Sequence, residues 1–154
     1  MNNPLLSNNT NLPLFSEIKT EHIEPAITQL LEEARAVVEQ HLKATTKYTW
    51  GNLIEPLENV DDKLNKAWSP ISHMNSVVNT DELRSAYNAC LPKLSAYSTE
   101  MGQNVGLFNA YKIIADSTEF ETLDNAQKKI IQNALRDFRL SGVDLDDEKK
   151  QRYK

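Results

Sequence analysis

A chain of 154 residues is long enough to bury a real hydrophobic core and fits one domain. It carries 17 Lys+Arg against 22 Asp+Glu, a formal charge of -5, with no basic tract and no glycine-interleaved aromatic motif, so nothing in it points to nucleic acid. Four glycines and six prolines exclude low-complexity sequence and a run of tight hairpins, and the single Cys90 excludes an intrachain disulfide.

Residues 1–19 read as an extended lead-in. Pro4 and Pro13 bias the residues before them away from helix. The opening MNNPLLSNN has neither a basic nor an apolar signal region, and no apolar run approaches the ~20 residues that span a bilayer. Leu12, Leu14, Phe15 and Ile18 are placed on the first helices. A first long helix is predicted from about Thr20 to about Lys43. Ile23, Ile27, Leu30, Leu31, Ala34, Val37, Val38 and Leu42 recur at three- and four-residue steps. Pro25 sits early in it, where a missing amide costs least. Glu32, Glu33 and Glu39 on the polar face make a membrane-surface helix a poor reading.

A second helix starts near Thr49 and runs to about Val78. Its stripe is Leu53, Leu57, Val60, Leu64, Ala67, Ile71 and Met74, flanked by Trp68. Pro70 is interior and is expected to kink or interrupt it. Asn79, Thr80 and Asp81 form a turn and cap. A third helix comes next, with Leu83, Ala86, Tyr87, Cys90, Leu91, Leu94, Tyr97 and Met101 on one side and Pro92 inside. Gly102 and Gly106 are breakers after it, and a further helix reaches about Ala115. Asp116, Ser117 and Thr118 are read as a turn.

The clearest element is the stretch 122–142. Thr122 is placed at the N-cap and Asp124 in the first turn, with Asp124 and Lys128 one turn apart in the favourable order. Ala126, Ile130, Ile131, Ala134, Leu135 and Phe138 make a broad apolar stripe that other helices must cover, and Gly142 supplies the left-handed terminator. Beyond it, Asp144 and Asp146 cap a last helix from about Asp147. The fold class is therefore all-α, a bundle of four to six amphipathic helices, several kinked at prolines. The helix starts share no motif at a fixed offset, so a repeat solenoid is not favoured.

Several stretches resemble the oligopeptidase A and thimet oligopeptidase family of zinc peptidases. They are LRDFRLSG with EKKQRYK after it at the chain end, PLFSEIKTEHIEPAI from Pro13 to Ile27, TWGNLIEPLENVDDKL from Thr49 to Leu64, and the run from Ser69 to Ser98. The resemblance covers nearly all of the chain but only the N-terminal part of such a protein. It implies that residues 20–154 form a helical N-terminal domain, ending within the start of a further helix. In the family this region is one wall of a channel that admits short peptides, facing a catalytic zinc domain downstream in the same polypeptide. The implied setting is cytoplasmic peptide breakdown. The competing reading is a free-standing helical interaction module without chemistry, and the reading frame beyond Lys154 separates the two.

No catalytic, cofactor-binding or metal residue carries over. The family holds zinc with His-Glu-x-x-His on a helix, where the histidines share a face and the glutamate activates water. Here His22, His41 and His73 are each succeeded by something other than Glu, and no two stand at the helical spacing. They read as a first-turn residue, a helix C-terminal residue and a neighbour of Pro70. Cys90, between Ala89 and Leu91, reads as a small core residue rather than a nucleophile. Glu55, Glu58, Asp61 and Asp62 read as a solvated helix face, and Trp50 and Trp68 as core and interface. Zinc is expected only in the longer protein, with the short peptide as its substrate. Leu5, Leu6, Leu14 and Trp68 are the candidates for an exposed apolar surface.

Overall fold

A computed structural model describes residues 3–7, 12–44, 47–145 and 148–149 of the chain. Among these residues there are six α-helices and no strand, so the fold class is all-α. The helices are α1 (Thr20–Ala44), α2 (Glu55–Val77), α3 (Asp81–Gly102), α4 (Val105–Ala115), α5 (Thr118–Thr122) and α6 (Asn125–Leu140). The chain divides into two compact units. The first comprises Met1–Val37 and Leu57–Ser95, the second Val38–Pro56 and Ala96–Lys154.

In the first unit, α1 buries the stripe its sequence predicts. Ile23, Ala26, Ile27, Leu30, Leu31 and Ala34 are all buried, as are Ala67 and Ile71 of α2 and Leu83 and Cys90 of α3. Pro25 lies inside α1, Pro70 inside α2 and Pro92 inside α3. Each lacks an N–H, so one carbonyl a turn earlier loses its helical donor. The expected interruption at Pro70 does not occur, because α2 continues to Val77 with Pro70 itself packed in the core. At the end of α2, Asn79 takes a left-handed conformation (φ 48) and its amide joins that of Val78 on the Met74 carbonyl. Thr80 then caps α3, its Oγ1 accepting the Leu83 N–H at 3.2 Å.

The lead-in is not extended throughout. Pro4–Leu6 form a 3-10 turn in which Asn3 Oδ1 accepts the Leu5 N–H, while Asn3 Nδ2 donates to the His22 carbonyl at 2.8 Å. Leu5 and Ile18 are buried. Leu12, Leu14, Phe15 and Ile18 precede α1 rather than lying on a helix.

In the second unit, the helix expected from Thr49 begins as a single π-helical turn, Trp50–Ile54, before α2. Thr49 and Asn52 form a capping box, with the Asn52 N–H on Thr49 Oγ1 at 3.1 Å and the Thr49 N–H on Asn52 Oδ1 at 2.8 Å. The Glu55 N–H reaches the Trp50 carbonyl. Pro56 cannot donate to Asn52, and its ring would crowd that carbonyl in a regular helix; the wider turn relieves both problems. Asn104 caps α4 through the Leu107 N–H at 3.0 Å. The edges of Phe108 and Tyr111 on α4 meet the ring of Phe138 on α6, with centroids 5.9 and 5.5 Å apart. Gly102 ends α3 where a Cβ would meet Ser141 Oγ at 2.7 Å, so the chain passes too close there for any side chain.

The N-terminus of α6 differs from expectation. Asp124, not Thr122, is its N-cap, in a capping box with Gln127 at 2.8 and 3.0 Å. Thr122 closes the short α5 instead, its hydroxyl donating to the Glu119 carbonyl. Lys128 therefore does not pair with Asp124 but donates to the Glu121 carbonyl at 2.9 Å. The C-terminus is a Schellman motif. Gly142 (φ 80) donates to Arg139 O, and Val143 donates to Phe138 O. The predicted helix from about Asp147, capped by Asp144 and Asp146, lies for the most part outside the described residues.

Candidate functional site

The histidines take the positions their helices dictate. His22 lies in the first turn of α1, where Nδ1 accepts the Lys19 N–H at 3.1 Å and so satisfies a donor that the helix itself leaves open. His41 is in the last turn of α1, and His73 of α2 meets the ring of Phe15 at 5.7 Å. Among the described residues no three His, Cys, Asp or Glu side chains converge in a way that could hold a metal ion. The donor set of those residues does not fit a zinc site.

Cys90 is fully buried and free. Burial pushes its thiol up, against the pull of the nearby Lys93 ammonium and with the push of Glu24. A thiol held protonated in this way is a poor nucleophile. Lys93 is tied to α1, its Nζ donating to Glu24 Oε1 at 2.6 Å and to Thr28 Oγ1 at 3.0 Å. Glu24 and Thr28, with Pro25, Gln29 and Glu32, line an open hollow of about 450 Å³ on α1. Of its polar groups, Glu24 and Thr28 are already engaged by Lys93.

The carboxylates at the start of α2 do not form a reactive cluster. Asp62 is engaged by Lys66 at 2.5 Å one turn on. The Asp61 carboxyl is pushed up, first by the local packing round it and then by the Glu58 charge. Trp68 stacks on Tyr87 of α3, with centroids 4.8 Å apart and planes 15° from parallel. Trp50 stands apart from α2, on the π-helical turn, where its backbone N–H donates to Glu119 Oε1 at 3.4 Å. The other oxygen, Glu119 Oε2, is buried with no partner among the described residues.

The exposed apolar surface is not where the sequence placed it. Leu5 is buried, and Leu6, Leu14 and Trp68 are half-buried. Among the described residues the open side chains are instead Leu12, Phe15, Val77, Val78 and Leu91 in the first unit, and Val105, Ile113, Leu140 and Leu145 in the second, so Leu91 does not share the buried side of α3. Leu5 is covered because the 3-10 turn folds it inward, and Trp68 because Tyr87 lies on its face. Neither event depends on residue type alone.

The comparisons with known proteins agree on the family. The N-terminal domain of the neurolysin/thimet oligopeptidase family matches residues 27–150. Oligopeptidase A of Haemophilus influenzae is 55% identical over 99% of this chain, and oligopeptidase A of Escherichia coli is 51% identical over 99%. A probable cytosolic oligopeptidase A of Arabidopsis thaliana is 32% identical over 98%. The chain spans only 22% of the length of the two bacterial relatives and 21% of the plant one. The chain therefore belongs to the neurolysin/thimet oligopeptidase family and is an N-terminal domain of it.

Proposed function

We propose that these residues form the non-catalytic N-terminal helical region of a zinc-dependent oligopeptidase. Residues 20–154 constitute the helical domain, after a lead-in of residues 1–19. The role is that of a wall: the helices form part of the channel that restricts substrates to short peptides, while the zinc and its ligands belong to a downstream domain of the same polypeptide. The observation that carries the reading is the N-terminal-domain match over residues 27–150, at half identity to proteins named oligopeptidase A. The sequence supports it, since none of His22, His41 and His73 stands in a His-Glu-x-x-His pair. The setting proposed is the cytoplasm, where the resemblance puts such peptide breakdown.

The test pairs the 154-residue chain with a version extended through the remaining length of its relatives. Both are assayed on one short peptide with added zinc, and bound metal is measured after dialysis. The extended protein is expected to hydrolyse the peptide and to lose that activity to a chelator, while the shorter chain does neither. Chelator-sensitive hydrolysis by the shorter chain would overturn the reading and direct attention to His22, His41 and His73.

A further inference from the structure

We draw no further inference here: the strongest candidate, the open hollow on α1 lined by Glu24, Pro25, Thr28, Gln29 and Glu32, is an acidic cluster on one helix whose Glu24 and Thr28 are already engaged by Lys93 of α3, and no second observation among the described residues points to a ligand for it.

Discussion

Helices α1 and α6 carry the two clearest apolar stripes in the sequence, and they end in different environments. In α1 the stripe from Ile23 to Ala34 is buried along its length. In α6 only Ile131 is fully buried; Ile130, Ala134, Leu135 and Phe138 are half-covered, Ala126 is exposed and Leu140 is 69% exposed. Periodicity is a property of one helix, whereas coverage depends on what its neighbours offer. Around α1 a long helix, α3, supplies polar side-chain contacts. Lys93 of α3 reaches Glu24 and Thr28 of α1, and Trp68 of α2 stacks on Tyr87 of α3. Around α6 the contact is chiefly the aromatic edge of α4, through Phe108 and Tyr111 on Phe138.

The largest expected effect comes from deleting the same kind of atoms in the two stripes. Ile27→Ala in α1 opens a cavity around a side chain with no exposed surface and should cost about 2–5 kcal/mol in denaturant unfolding. Leu135→Ala in the half-covered stripe of α6 should cost about 1 kcal/mol, since much of its surface is already in water. Equal losses at the two positions would mean that coverage by neighbouring helices does not set stability.

The ends of α6 give the next effect. Gly142→Ala places a Cβ at φ 80, where it would meet Leu145 Cδ1 at 2.7 Å, and the loss should be at least ~1 kcal/mol. Asp124→Ala removes the N-cap acceptor of the Gln127 amide and should cost about 1 kcal/mol, while Thr122→Ala should be close to neutral for α6. Thermal unfolding of the three variants, monitored by circular dichroism, orders them. A Thr122→Ala loss as large as that of Asp124→Ala would restore the boundary expected from the sequence.

That boundary shows where the sequence is legible and where it is not. The starts of α1 and α3 and the end of α6 are readable because each rests on a local signal: an apolar period at Thr20, the Asn79–Thr80 cap pair, the glycine at 142. The start of α6 offers two cap residues two positions apart, and a short helix that consumes Thr122 decides between them. The π-helical turn before α2 is hidden for a similar reason. Thr49 announces a helix, but only the three-dimensional course shows how Pro56 is accommodated. At the level of function, the lack of a helical histidine pair is legible directly. The reach of Lys93 to Glu24 and Thr28 beside the hollow is not, because it joins α3 to α1 across a gap in sequence that no period connects.

The smallest expected effect is electrostatic and contrasts two carboxylates. Asp61 is pushed up in the folded protein, so its ionisation opposes folding. The stability it contributes is present below its unfolded pKa and is lost as pH rises through the folded value. Asp61→Asn should therefore give a small gain at neutral pH that disappears in acid. Glu39 is pulled down by the hydrogen bond and charge of Lys43, so its contribution is present above the unfolded pKa and lost as pH falls through the folded one. Glu39→Gln should give a slight loss at neutral pH only. Chemical denaturation at neutral pH and again in acid checks both signs, and a gain for Asp61→Asn that persists in acid would contradict the first.

Cys90 has a practical consequence. It is the one thiol in the sequence, it lies in the core of the first unit between Leu83 and Lys93, and burial keeps it protonated. An alkylating reagent can reach it only when α3 lifts from its neighbours. The rate of single-site labelling is thus a native clock for the opening of the core around Cys90, and it requires no engineered probe.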